Sequence, residues 1–430
     1  MDDIIRRPKR PKIDLSELPQ SQTFSMHQEL YRPPVAARTA LKPSVASRAP
    51  LPQSFARKAP KPSPVAAPVP IKTPKWKMKF RLPRNKKEWI IAAATAILLC
   101  VGCFALYWFV IRDTAPVVTY IAPEPEPEPE PPAPTTGPSK LSGREVELAV
   151  NDRPVYAVQI ENSPDARPQS GLKEADIVFE AVAEGGITRF NALFHDNQPG
   201  NIGPIRSLRP YYIDWFWPFD AAIVHAGGSP EALNDIKALG LKDIEHGVNG
   251  GSFRRVSNRY APHNLYSTSA QLTELMSKKG FNSSTFTSLS RKVPAVDAVA
   301  TASTVNLKIS STLYNVTYSY DKASNSYKRA QGGGPHLDAE SGQQLAPNVL
   351  IVPVLSKGIH PDRVHTAYGT TGSGKVFVFQ DGIVTEGTWT KPDRKSQWQL
   401  TDNAGAAITF NPGQTWFTII DAAGSVTYQP

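Results

Sequence analysis

The chain has 430 residues, with 48 Lys+Arg against 38 Asp+Glu and only two cysteines; that length holds two ordinary domains plus extras. Its formal charge of +10 sits in a tail, because residues 1–88 carry 20 Lys+Arg and 6 Asp+Glu while residues 89–430 carry 28 and 32. The remainder is mildly acidic, a net of −4, which excludes a nucleic-acid reading for the folded part.

Residues 1–87 are rich in Pro, Ala, Ser, Lys and Arg and show no sustained apolar periodicity. Such a segment cannot bury enough surface to offset its ordering entropy, so a disordered cytoplasmic tail is expected. RRPKRPK near its start suits an anionic lipid surface, where each basic residue adds about 1 kcal/mol, or a protein partner. The plainer reading is a solvated tail that fixes topology.

Residues 89–111, WIIAAATAILLCVGCFALYWFVI, carry no charge for 23 residues. About 20 helical residues cross a hydrocarbon core, so 88–112 is expected to be a single transmembrane helix. Trp89, Tyr107 and Trp108 suit the two interfaces, and the Lys/Arg cluster before the span leaves the N-terminus in the cytoplasm. Both cysteines, Cys100 and Cys103, fall in this span, so the exported portion has neither a disulfide nor a thiol nucleophile. Val101-Gly102-Cys103 also has the form of a lipoprotein cleavage site, but Cys100 stands where an aliphatic residue is usual and the leader is long.

PEPEPEPEPP, residues 123–132, belongs to an extended linker over 113–145, with about 3.1 Å per residue in polyproline II. Globular patterning follows over 146–295. PVYAVQI, DIVFEAVA, ITRFNALF and DAAIVHA read as strands, and 207–217, 230–239 and 269–279 as helices, the last with a capping box in Thr268 and Gln271 and a stop at Gly280. An α/β or α+β domain is therefore expected, followed by an all-β domain over 304–430 built from TLYNVTYSY, NVLIVPV, KVFVFQ, IVTEGTWT, AITF and QTWFTII, with a tight hairpin at Asp381-Gly382.

Three stretches hold candidate site residues. In DIVFEAVAEGGITRFNALFH, a two-residue turn at Gly185-Gly186 pairs Glu180 with Asn191 and Val182 with Arg189. Ile177, Phe179, Ala181, Phe190, Ala192 and Phe194 then share an apolar face. Asp176, Glu180, Glu184, Arg189, Asn191 and His195 share the other, which is either solvated or the floor of a cleft where Arg189 keeps Glu180 ionised. In GNIGPIRSLRPYYIDWFWPFD, Ser207 is a candidate cap, and Arg206 and Arg209 stand at a helix N-terminus suited to a carboxylate or phosphate. The cluster Tyr211, Tyr212, Trp215, Phe216 and Trp217 reads as core, with sugar stacking as the alternative.

In AIVHAGGSPEALNDI, His225 ends a strand, Gly227 and Gly228 allow a close turn, and Ser229 caps the next helix. A strand's carboxyl end feeding a helix is where α/β sheets bind ligands. The alternative is a structural histidine bonded to backbone. RYAPHNLYS adds His263 and Asn264 in a Pro-broken loop. The eight histidines show no metal spacing, so no metal and no cofactor is expected. No G-x-S-x-G elbow occurs, and GTTGSGKV lacks the Ser/Thr of a phosphate loop and runs into a strand.

IENSPDARPQSGLKEADIVFEAVAEGGITRFNALF, IGPIRSLRPYY, HAGGSPEAL and APHNLY, with GSGKVFVFQDGIVTEGTW and FNPGQTWFTII later, resemble the YerB-like family of bacterial lipoproteins, a domain of unknown function followed by a C-terminal companion. The resemblance covers roughly 146–430 and implies a bacterial envelope protein without assigning an activity. The expectation is thus a single-pass membrane protein that binds an envelope component or partner protein outside the cell, through Glu180, Arg189, Arg206, Arg209, His225, Ser229, His263 and Asn264. Its rivals are a wall glycan- or peptide-acting enzyme using Glu180 or Glu184 with His225 or His263, and a scaffold whose tail recruits a cytoplasmic partner.

Overall fold

The computed structural model describes residues 85–111 and 134–430. The tail expected to be disordered, up to residue 84, and the PEPEPEPEPP spacer lie outside the described residues. The chain divides into two compact units, Met1–Pro123 and Glu124–Pro430. In the first, Asn85 caps helix α1 (Lys86–Leu106) by accepting from the Glu88 amide at 2.9 Å, and a π-helical turn, Tyr107–Ile111, continues it. The stretch Lys86–Val110 is long and apolar enough to cross a membrane.

The second unit pairs a mixed α/β N-terminal part with a sheet-rich C-terminal part. Its elements are β1 (Tyr156–Glu161), β2 (Ile177–Val182), β3 (Thr188–Phe194), α2 (Pro210–Phe216), β4 (Ala222–His225), α3 (Pro230–Ala238), β5 (Asp243–Glu245) and α4 (Ser269–Lys278). Then come β6 (Thr304–Leu307), β7 (Val316–Asp321), β8 (Ser326–Gln331), β9 (Gly334–Pro335), β10 (Val349–Pro353), β11 (Gly372–Gln380), β12 (Ile383–Lys391), β13 (Gln399–Asp402), β14 (Thr415–Thr418) and β15 (Val426–Gln429). Shorter strand pairs are named by residue.

Ten strands form one sheet in the order β13-β12-β11-β10-β14-β2-β3-β1-β4-β5. Strands from both sequence segments thus share a sheet instead of forming two. The junction is the parallel pairing of β14 with β2, where Phe417 lies beside Phe179 with ring centroids 4.7 Å apart. A five-stranded antiparallel sheet, β9-β8-β7-β6-β15, and α4 cover one face, supplying Val305, Tyr318, Tyr327, Leu272 and Met276 to the core. Helices α2 and α3 cover the other with Tyr212, Trp215, Phe216, Ala232 and Ile236. Burial on both faces explains why β1, β2 and β3 are buried at every position.

The hairpin of β2 and β3 corrects the expected register. The Ala183 amide donates to the Ile187 carbonyl at 2.7 Å, so Glu184, Gly185 and Gly186 form a three-residue loop, both glycines at positive φ. Ala181 therefore faces Arg189, and Glu180 faces Phe190. A one-residue slip exchanges faces, so Glu180 lies with Phe190 and Ala192, while Arg189 and Asn191 lie with Phe179 and Ala181. Neither face is solvated: Asp176, Glu180, Arg189, Asn191 and His195 are all at most 6% exposed.

Two local expectations also change. Thr136–Pro138 pairs with Glu145–Glu147 and Leu141 enters the core, so ordered structure begins inside the Pro/Thr/Gly-rich stretch that reads as linker. Arg209 holds the N-cap position of helix α2 without a side-chain capping bond, Pro210 is the first helical residue, and Ser207 is not the cap. Pro210 has the fixed φ of a first-turn residue and no amide to satisfy, which sets the start there.

Candidate functional site

Strands β1, β4 and β5 run parallel, and the segment Ile205–Leu208 passes their carboxyl ends. Arg206 N donates to Gln159 O at 2.8 Å, Ala226 N to Arg206 O at 3.0 Å, and Leu208 N to Gly227 O at 2.9 Å. Gly227 turns at φ +66 to allow this approach. The segment carries Arg206, Ser207 and Arg209 across the sheet edge where ligands of α/β folds bind.

Two glutamates organise the polar groups there. Glu161 Oε1 accepts from His263 Nδ1 at 2.9 Å and from Ser163 Oγ at 2.9 Å, and Arg206 Nε is an ionic contact at 3.3 Å. Glu161 Oε2 is buried without a hydrogen-bond partner. Glu184 takes both Arg189, at 3.1 Å, and Arg209 Nε. Arg189 also donates to Ser207 O at 2.7 Å, and His365 Nε2 stands 3.8 Å from Glu184. Burial alone would raise the pKa of Glu184, but Arg189, Arg209 and His365 outweigh it and hold the carboxyl below its ordinary value.

Beside this band lies a cleft between α2, the start of α3 and the hairpin Lys357–Ile359 with Thr366–Tyr368. It comprises two cavities of about 200 and about 190 Å³ that share Pro210, Glu231, His360 and Thr366. Carboxylates and imidazoles alternate along it: His360 lies 2.9 Å from Glu231 and 3.0 Å from Asp362, and Asp362 lies 2.6 Å from His365. At the far end Arg394 reaches Asp214 at 2.6 Å and Asp235 at 2.5 Å.

The expected site residues therefore divide. Arg189, Arg206, Arg209 and His263 meet at the sheet edge through Glu161 and Glu184; the heads of Arg189 and Arg209 are hydrogen-bonded, while Arg206 makes only the ionic contact and its Nε has no hydrogen-bond partner. Ser229 lines the cleft and caps α3, accepting from Ala232 N at 3.4 Å. His225 is fully buried, with Nδ1 2.8 Å from Gly227 O and Nε2 2.9 Å from Asp243, so both nitrogens face acceptors within the fold. Asn264 braces its own loop, accepting from Arg255 at 2.7 Å and donating to Val256 O and Arg259 O. Glu180 lies on the opposite sheet face, paired with Arg329 instead of Arg189. Glu180, Arg206 and His225 do not line one cavity.

Sequence reasoning missed Glu161, Glu231, His360, Asp362 and His365. The spacing HPDRVH, with two histidines around an aspartate, was the visible signal for the last three. Among the described residues no group of three or more His, Cys, Asp or Glu is arranged to hold a metal ion. Four of the five aromatic residues are core, Tyr211, Tyr212, Trp215 and Phe216 being at most 3% exposed, whereas Trp217 is half-buried beneath Lys395.

Residues 141–282 match the profile of the DUF3048 N-terminal domain, a protein of unknown function, and residues 305–417 match that of the DUF3048 C-terminal domain. The chain is 32% identical to YerB of Bacillus subtilis (strain 168), a protein named as a lipoprotein, over 286 residues that cover 65% of this chain and 85% of the relative. A crystal structure of YerB protein from Bacillus subtilis superposes with a TM-score of 0.63 at 29% identity, covering 68% of this chain and 99% of that one.

Proposed function

Because the chain belongs to the DUF3048 family of YerB-like proteins, we propose that it is an envelope protein anchored by α1, whose Glu124–Pro430 unit binds an envelope component outside the cytoplasmic membrane. The name of the Bacillus relative supports membrane attachment. The uncharged stretch 89–111, with the Lys/Arg cluster before it, supports an uncleaved span with the N-terminus inside.

The observation that carries the binding reading is the Glu231-His360-Asp362-His365 chain lining a cleft at the sheet's carboxyl edge. Arg209 is spent on Glu184 and the Leu208 carbonyl, and Arg206 is held by an ionic contact to Glu161. The carboxylates and imidazoles favour a component rich in hydroxyl, amide and amine donors, as wall glycan and peptide are. Against the catalytic alternative stand the full burial of Glu180 and His225 and the stabilised ionised form of Glu184, which disfavours proton donation.

Full-length protein in detergent micelles is expected to co-sediment with purified cell wall. Glu231→Gln with His360→Ala should lower retention about tenfold, the loss of one or two good hydrogen bonds, at an unchanged unfolding midpoint. Equal retention by the variant would remove the cleft from the reading. Wall fragments released by the wild type but not by this variant would restore the enzyme.

A further inference from the structure

The hairpin Lys357–Ile359 with Thr366–Tyr368 is anchored at its base by neutral groups and at its tip by charge. At the base, Tyr368 Oη accepts from the Val182 amide at 3.1 Å, Thr366 Oγ1 donates to Ala183 O, and Lys357 pairs with Asp421 at 2.6 Å. Residues 358–359 and 361–364 are exposed, Ile359 at 78% and Val364 at 65%, so apolar burial contributes little to holding the tip. Only His360 and His365 are half-buried there. Among the described residues, the ionic contacts that tie the tip to the rest of the fold are His360 Nε2 to Glu231 of α3, at 2.9 Å, and His365 Nε2 to Glu184 of the β2–β3 loop, at 3.8 Å.

The other two ring nitrogens face the tip's own carboxylate, His360 Nδ1 at 3.0 Å and His365 Nδ1 at 2.6 Å from Asp362 Oδ2. Each imidazole thus has a carboxylate at both nitrogens. A neutral ring carries one N–H and one lone pair, whereas the charged ring offers an N–H to both neighbours. At His360 the Asp362 amide also donates to Nδ1 at 3.3 Å, so the neutral ring keeps a partner there. At His365 the proton on Nδ1 is needed by Asp362, which turns the Nε2 lone pair of the neutral ring toward Glu184, so His365 gains more from protonation. Its hydrogen bond, with the backbone amides of His365 and Val364, holds the Asp362 carboxyl well below its ordinary range, and Asp362 stays charged. Of the cations nearby, Arg189 and Arg209 share Glu184 with His365 and oppose its protonation, Arg394 faces Asp214 and Asp235, Lys357 faces Asp421, and Arg363 is exposed on the tip itself.

We propose that residues 358–365 form a pH-operated flap, latched to α3 and to the β2–β3 loop when His360 and His365 are charged and released when they are neutral. Protonation turns Glu231, His360, Asp362, His365 and Glu184 into a row of alternating charge across three elements. The flap supplies one wall of the cavity of about 190 Å³, opposite Pro210, Ser229 and Glu231, so its release opens the cleft. Imidazole changes charge between about pH 5 and 8. Contacts made by its charged form are present in acid and lost as pH rises, which gives a cleft closed in acid and open in mild alkali. The flap acts on the cleft proposed to bind wall, but it depends on no property of that ligand.

Spin labelling tests the flap without any ligand, so a cleft that fails to bind wall leaves the result intact. In the full chain in micelles, with Cys100 and Cys103 replaced by serine, labels at Val364→Cys and Asn234→Cys, both exposed positions, report the distance from the tip to α3. The distance distribution should be narrow at about pH 5.5 and become longer and broader at about pH 8.5, the ratio of closed to open flap falling about tenfold. Roughly 1 M salt at the acid pH should release the flap as well, because exposed ionic contacts are screened. His360→Gln with His365→Gln keeps polar side chains of similar reach that cannot take up a proton. This variant should show the open distribution at both pH values with an unchanged unfolding midpoint, since neither residue lies in the core. Distances that ignore pH, that ignore salt in acid, or that keep their pH response in the double variant would each overturn the proposal.

Discussion

Arg329 Nη2 lies 2.9 Å from Oε1 and 3.0 Å from Oε2 of Glu180, with both side chains fully buried. The pair closes a ring of hydrogen bonds with assigned directions. Arg329 donates to His336, His336 to Gln169, Gln169 to Asn162, Asn162 to Thr188, and Thr188 to Glu180. Trp416, 4.4 Å from the guanidinium carbon, with Tyr318 and Phe190, encloses the cation. Removing one charge strands the other in a dry interior, so Arg329→Met should destabilise by about 3–5 kcal/mol. Glu180→Met with Arg329→Met should recover part of that loss. Urea unfolding of the two variants checks this, and a double variant no better than the single would show that the network, not the stranded charge, sets the cost.

Glu184 makes a pH-dependent contribution of defined sign. Its folded pKa is lowered, because Arg189, Arg209 and His365 outweigh the effect of burial. A depressed carboxylate contributes stability that is present above its unfolded value of about 4.3 and lost as pH falls through the lower folded value. Glu184→Gln should cost about 2 kcal/mol at neutral pH, where two guanidinium groups lose their common partner. The difference between wild type and variant should then shrink as pH drops below about 5. Stability curves for both proteins between neutral and acid pH provide the check, and a pH-independent difference would mean that packing, not charge, is what the substitution removes.

What the sequence revealed follows the range of the interactions. The caps at Ser229 and Thr268, the helix stop at Gly280 and the Asp381-Gly382 turn are set by neighbours a few residues away, and the structure reproduces them, the turn at φ 57 and 72. Alternation located β1 to β4, but it could not distinguish a two-residue from a three-residue turn at Gly185-Gly186, and that single residue decided which face Glu180 occupies. Its partner is 149 residues away, on a strand of the second sheet, and no local rule points there. The cleft is likewise assembled from residues near 210, 230 and 360. AITF, an apolar run with strand composition, makes only isolated bridges at Ala407 and Phe410, because burial without a continuous partner strand does not build a ladder.

Gly387 in β12 is a point where backbone approach, not φ, requires glycine. It pairs with Asp402 of β13, and a Cβ built there would overlap the Thr401 carbonyl. Gly387→Ala should push β13 away and cost about 1–3 kcal/mol. Hydrogen exchange should locate the damage, with protection lost first at Thr388, Thr390 and their partners in β13. Wild-type exchange at those amides would mean that the strand accommodates the methyl group.

The proposed membrane orientation rests on the charge difference across the span, and the two cysteines make it testable. Both lie in α1, so replacing Cys100 and Cys103 with serine leaves a chain free of thiols. Tyr260 is 90% exposed, and Tyr260→Cys in that background places one accessible thiol in the Glu124–Pro430 unit. A membrane-impermeant maleimide should label it in cells whose cytoplasmic membrane is intact, whereas a cysteine introduced at Ser25, ahead of the span, should react only after permeabilisation. The reverse pattern would put the folded unit in the cytoplasm and remove the envelope reading. The same preparation separates the two modes of anchoring. An uncleaved helix retains residues 1–102 in the intact mass whether position 103 is Cys or Ser, whereas a lipoprotein loses them only when Cys103 is present.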